Sequence, residues 1–215
     1  MDRSAIILAG GFSSRFGQDK GLMLLKGKPL AKHVLDAVNN IVDERILVAS
    51  SKDQAESYRK VANSTTKVLI DRTRADKVQS PLVGALAGLK EAHGRYSLLL
   101  PCDTPFVSRQ VVALLFELCV DRNAVIPRWP NGCIEPLQAV YCSEVACKAA
   151  RSALNEGELT MQSMIDRLCR VRYVSTLVLE QIDPELKTFF NINNPIDLRK
   201  AEKIDKMQNA NKLSS

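Results

Sequence analysis

Aromatic residues are scarce in this chain: one Trp, four Tyr and six Phe among 215 positions. A stacking platform for single-stranded nucleic acid needs aromatics interleaved with basic stretches, so no nucleic-acid partner is expected. Histidine is nearly absent, with only His33 and His93, and the six cysteines contain no C-x-x-C pair, which argues against zinc. No apolar run approaches the ~18 residues that span a bilayer. The N-terminal Met1–Ser4 and the short run AIILAGG lack the apolar core and cleavage site of a secretory signal. Most of the cysteines sit in apolar stretches such as LLLPC, LLFELC and AVYC, where a free thiol behaves as a small buried hydrophobe. Together these absences point to a cytoplasmic protein with no membrane partner.

What remains is ordinary globular material. Apolar residues make up 46% and charged residues 25%, which excludes disorder, collagen and coiled coil. Thirty Lys and Arg against twenty-four Asp and Glu leave +6, spread along the chain and suited to small anionic partners. At roughly 150 residues per domain the default is one domain, with no disulfide or structural metal needed to supply a core.

Periodicity supplies the layout. Ala5–Ala9 is a continuous apolar run ending at Gly10-Gly11, as a strand buried on both faces reads. Helical spacing predicts helices over 29–39, 52–63, 81–93, 108–119, 143–154 and 160–170, with a last helix from Pro195. Between them, short β-branched runs predict strands at 45–49, 67–71, 97–100, 124–127, 137–141 and 171–174. The alternation predicts a single α/β domain over 1–204, doubly wound on a mainly parallel sheet with helices on both faces, and a polar tail over 205–215.

Ligands of an open parallel sheet bind at the carboxyl ends of its strands, and three predicted strand ends are polar. The first leads into Leu8-Ala9-Gly10-Gly11-Phe12-Ser13-Ser14-Arg15-Phe16-Gly17-Gln18-Asp19-Lys20. Its glycine pair lets successive backbone N–H groups turn inward on an anion, and Arg15 and Lys20 add charge-assisted contacts to a triphosphate. The string is neither a P-loop nor a dinucleotide fingerprint. Asp71 ends the third strand. Asp103, in Pro101-Cys102-Asp103-Thr104-Pro105, is either a Mg²⁺ ligand against phosphate oxygens or a cap for the helix near Ser108. In Asn191-Ile192-Asn193-Asn194-Pro195, Asn193 or Asn191 could orient a metal or its water, while Asn194 suits a helix cap.

Taken in order, L-A-G-G-x-S-x-R-x-G-x-D-K, G-K-P-L from Gly27, P-L-x-G from Pro81, P-C-D-T-P and N-x-N-x-P resemble the molybdenum cofactor guanylyltransferase family, over roughly residues 5–200. The first motif is common to many nucleotidyltransferases, and the last two narrow it to the MobA-like branch. The resemblance implies a Rossmann-like nucleotidyltransferase fold and transfer of GMP from Mg²⁺-GTP to the terminal phosphate of a molybdenum or tungsten pterin cofactor. It implies that Leu8, Ala9, Gly10, Gly11 and Ser13 form the nucleotide loop, that Lys20 and Arg15 contact phosphate, and that Asp71 contacts nucleotide. It also makes Asp103 the metal ligand, with Asn193 beside it, and suggests transient contact with other proteins of the cofactor pathway. One departure is Ala49-Ser50-Ser51, where the family often has an asparagine: Ser51 takes its place, or the base preference differs. CTP, another phosphorylated acceptor and a non-catalytic nucleotide binder are the alternative readings. Gly132–Leu137 is the candidate for the pterin side.

Overall fold

The computed structural model describes residues 2–9, 12–13, 18–71 and 80–213. In chain order its elements are β1 (Arg3–Leu8), the short antiparallel pairs β2 (Phe12–Ser13) with β3 (Gln18–Asp19) and β4 (Leu24–Leu25) with β5 (Lys28–Pro29), then α1 (Leu30–Val38) and β6 (Glu44–Ala49). They continue through α2 (Lys52–Val61), β7 (Thr66–Ile70), α3 (Pro81–Glu91), β8 (Tyr96–Pro101), α4 (Arg109–Leu118) and β9 (Ala124–Arg128). The last are β10 (Ala139–Cys142), α5 (Ser143–Asn155), α6 (Met161–Ile165), β11 (Val171–Ser175), α7 (Thr176–Leu179) and α8 (Pro195–Leu213).

Seven strands form one sheet in the order β11-β9-β10-β8-β1-β6-β7. All neighbours are parallel except β10, which runs against both β8 and β9. The expected mainly parallel sheet is therefore present, and β10 reverses for a simple reason. Its link to β9 carries no helix, and a parallel return needs a crossover of a dozen or more residues.

Period-two alternation on β1 divides the core into two layers. Ala5, Ile7 and Ala9 face α1, α2 and α4. Ile6 and Leu8 face α3, α5 and α6. Burial of each such aliphatic side chain stabilises by roughly 1.5–3 kcal/mol, and residues 4–9 are all buried. That is why the strand reads as an unbroken apolar run.

Several local expectations are corrected. The helix expected over 160–170 stops at Ile165. Met161, Met164 and Ile165 spend its apolar face, and beyond them Arg167 and Leu168 donate their N–H groups three residues back, to Met164 and Ile165. The short pairs β2–β3 and β4–β5, α7, and a 3₁₀ segment at Pro184–Phe189 were not anticipated, being too short for periodicity to register. The backbone of α8 continues through residues 205–213, which read as tail. All six cysteines are free, but only Cys102 and Cys119 are buried; Cys133 and Cys169 are exposed. Among the described residues no helix is long and apolar enough to cross a membrane.

Helix α3 lies close over β1 because Gly88 has no side chain: a Cβ there would meet Ile6 Cγ2 at 2.3 Å. Gly88→Ala gains about 1 kcal/mol of helix propensity, yet overpacking against a stiff β-branched neighbour costs about 1–3 kcal/mol. The clash should win, lowering the urea midpoint by the equivalent of up to ~2 kcal/mol, and a raised midpoint would refute this account of the packing.

Candidate functional site

The chain steps from β1 outward to β6 and β7, then returns to place β8 on the other side of β1. That reversal opens a crevice at the carboxyl ends of β1 and β8. Their register sets Leu8 opposite Pro101, and the Cys102 N–H donates to the Leu8 carbonyl at 3.1 Å. The loop after β1 and the Pro101–Pro105 loop are thereby held side by side.

Lys20 lies 83 residues before Asp103, and its Nζ reaches Asp103 Oδ2 at 3.4 Å and donates to Asn193 Oδ1 at 2.7 Å. Both side chains of the ion pair are mostly buried, at 23% and 15% exposure. Burial raises the Asp103 carboxyl above its ordinary value, and Lys20 offsets only part of that rise. A desolvated carboxylate with an incompletely compensating lysine favours a further cation.

The third member arrives from the far end of the chain. Ile192 donates its N–H to the Asp103 carbonyl at 3.0 Å and buries its side chain with Met23, Leu25, Leu30 and Ala201. Next to it, Asn194 Oδ1 accepts from the N–H groups of Ile196 and Asp197 at 2.9 and 3.0 Å and caps α8. Asn193 donates its own N–H to Asp197 Oδ2 at 3.0 Å, which leaves its carboxamide oxygen for Lys20. Asn194 is therefore the cap, as its place before Pro195 suggested. Asn191 is exposed and Asn193 is the one that faces the lysine. Asp103 does not cap α4: that N-cap is Ser108, whose oxygen accepts from Val111 N–H at 3.4 Å.

Other expected residues are distributed around this group. Leu8 and Ala9 are buried, so any contact they make with a ligand is through backbone. Gly10, Gly11 and Arg15 lie outside the described residues, as does the side chain of Ser13. Asp71 follows β7, bonded through its N–H to the Ala49 carbonyl at 2.8 Å. Burial pushes its carboxyl up to about 6. Ser51 caps α2 by accepting from Gln54 N–H at 3.1 Å, while Gln54 Oε1 accepts from Ser50 N–H and Oγ. This reciprocal cap occupies the position that departs from the family pattern.

The Gly132–Leu137 stretch follows β9 at the same sheet edge, because β9 and β8 both run against β10. Trp129 stands at its base, donating to Glu135 Oε1 at 2.6 Å with its ring edge-on to Phe189 at 5.7 Å. Sequence reasoning missed Tyr58 altogether and gave Asp19 no separate role. The only signal for Tyr58 was a lone aromatic in an otherwise polar helix.

An open sheet with a lysine, a carboxylate and a carboxamide converging at its switch point defines a nucleotide-handling α/β protein. The comparisons sharpen that class. Residues 5–171 match the model of the MobA-like NTP transferase domain, and the chain belongs to that family. A probable molybdenum cofactor guanylyltransferase of Methanosarcina mazei is 34% identical over 199 residues, covering 91% of this chain and 88% of the relative. A molybdenum cofactor guanylyltransferase of Desulfosudis oleivorans is 33% identical over 93% of this chain and 94% of its own. The solved structure of molybdopterin-guanine dinucleotide biosynthesis protein A from Archaeoglobus fulgidus superposes with a TM-score of 0.79 at 28% identity, covering 95% of this chain and 99% of that one.

The Asp71 environment makes a direct prediction. A carboxyl raised by burial binds its proton more tightly folded than unfolded, so it detracts from stability as pH rises from about 4 through about 6. Carboxyl-resolved NMR titration should place the Asp71 midpoint near 6, and Asp71→Asn should flatten the stability profile across that window. A midpoint near 4 would remove the burial argument.

Proposed function

We propose that this chain is a molybdenum cofactor guanylyltransferase that transfers GMP from GTP to the terminal phosphate of a molybdenum or tungsten pterin cofactor. The carrying observation is the Lys20–Asp103–Asn193 group at the switch point of a chain in the MobA-like family. The names of the relatives supply the acceptor and the guanine. A phosphate oxygen of the acceptor attacks the α-phosphorus of the nucleotide, the α–β anhydride bond breaks, and pyrophosphate leaves with the electron pair. The nucleophile is already ionised at neutral pH, so no general base is required, and catalysis rests on alignment and charge neutralisation.

Mg²⁺ fits the donor set. Among the described residues no three His, Cys, Asp or Glu side chains converge. Mg²⁺ characteristically takes one or two carboxylates and completes its shell with substrate phosphates and water. Asp103 would hold it, with the Asn193 oxygen nearby, and the ion would neutralise charge on the phosphates. Lys20 offers its ammonium to the leaving pyrophosphate, and Asn193 fixes the direction of that ammonium. Gly10, Gly11, Ser13 and Arg15 complete the phosphate cradle in this reading, Asp71 contacts the nucleotide, and Gly132–Leu137 faces the pterin. The transferase domain spans residues 1–204, acts in the cytoplasm, and meets other proteins of the cofactor pathway transiently.

The test is pyrophosphate release by the purified protein with Mg²⁺ and the pterin cofactor, with GTP, CTP, ATP and UTP in parallel. GTP alone should support release, and release with CTP instead would overturn the guanine assignment. Asp103→Ala should lower the rate ~10²-fold or more, and Lys20→Ala should do the same. Near-normal transfer by Asp103→Ala would end its metal role.

A further inference from the structure

Helix α2 is polar along most of its length and buries only Ala55 and Tyr58. Tyr58 is fully buried beside Cys102 in the layer that also holds Ala9 and Ala49, and packing alone would be served equally by phenylalanine. A buried phenol needs a partner, and this one donates to Asp19 Oδ1, the residue immediately before Lys20. The same Oδ1 accepts from Gly21 N–H at 2.9 Å, the residue immediately after it. Lys20 is thus flanked on both sides by residues tied to one carboxylate oxygen. The fit is close: a Cβ on Gly21 would stand 2.2 Å from the Tyr58 hydroxyl oxygen and 3.0 Å from Cys102 Sγ. Burial drives Tyr58 ionisation far above the usual phenol range, with Cys102 and Asp19 adding to the effect, so the hydroxyl keeps its proton and donates.

Asp19 is costly to hold there. Among the described residues its Oδ2 is buried with no hydrogen-bond partner. A carboxylate with one oxygen buried and unpartnered is a poor choice if the task is stability alone, and it lies next to the Lys20 ammonium that reaches Asp103 and Asn193.

We infer that Tyr58 and Asp19 form a buried brace that positions Lys20, in which one Asp19 oxygen accepts from two neutral donors, the Tyr58 hydroxyl and the Gly21 N–H. Its catalytic consequence rests on the reading of Lys20 as the pyrophosphate-binding residue; the brace itself does not.

Two readouts separate these. The first is the rate at which an amine-acylating reagent labels Lys20, followed peptide by peptide by mass spectrometry on the whole protein. Asp19→Ala and Tyr58→Phe should each label Lys20 about tenfold faster, the scale of one buried hydrogen bond, with the other lysines unchanged. Asp19→Asn retains an acceptor oxygen and should stay near the wild-type labelling rate. The second readout is GMP transfer. There Asp19→Ala and Tyr58→Phe should lower kcat about 10- to 100-fold with little change in KM for the nucleotide, and Asp19→Asn should recover most of the loss. Should Asp19→Ala fail to fold, Tyr58→Phe against Asp19→Asn still decides, since the first removes one oxygen and the second exchanges one atom. Unchanged Lys20 labelling in Tyr58→Phe, or Asp19→Asn labelling as fast as Tyr58→Phe, would overturn the brace. Absence of GMP transfer in the wild type would overturn the functional reading and leave the labelling result standing.

Discussion

The parallel pairing of β1 with β8 is the constraint on which the rest of the site depends. Pairing Leu8 with Pro101 aligns two loops that are distant in sequence, and the Cys102-to-Leu8 hydrogen bond extends that alignment past the sheet edge. Only then can Lys20 and Asp103 meet in a largely desolvated position, where a charge pair interacts far more strongly than in bulk water. The two-sided core around β1 is the mechanical support for this. Because Ile6 and Leu8 pack one way and Ile7 and Ala9 the other, the strand cannot slip by one residue without turning both sets onto the wrong layers.

Electrostatically the site is unfinished by intent of its composition. Asp103 is more buried than Lys20 can compensate, and Asp71 sits raised at the end of β7 with burial as its cause. Each carboxyl lies at the carboxyl edge of the sheet, where strand order reverses or ends. On the proposed reading, a metal–nucleotide pair would supply the positive charge that the fold withholds from these carboxyls.

Much of this was legible in the residues, for reasons that can be named. The buried strands announced themselves because strands covered on both faces lose their polar alternation, as at Ala5–Ala9 and Ser97–Leu100. Lys20, Asp103 and Asn193 were legible because strand-end loops are where this architecture places chemistry, and the structure brings all three together. What escaped was of two kinds. The two-residue pairs and the turn-like segments near Phe189 are too short for any period to register. Tyr58 and Asp19 escaped because their meaning lies in a contact across 39 residues, between a polar helix and a two-residue strand, that neither stretch signals alone. The direction of β10 was likewise a property of a connection rather than of its own residues.

The seam formed by Ile192, Asn193 and Asn194 has a further consequence for how the molecule comes into being. The hydrogen bond between Lys20 and Asn193 joins positions 173 residues apart, and the Ile192 tie to the Asp103 carbonyl closes over the same place. A nascent chain emerging from the ribosome can therefore assemble all seven strands and bury both core layers while the crevice still lacks its final wall. Competence arrives late, after all seven strands of the sheet have been made, so a molecule halted short of Asn191 would own a sheet and no finished site.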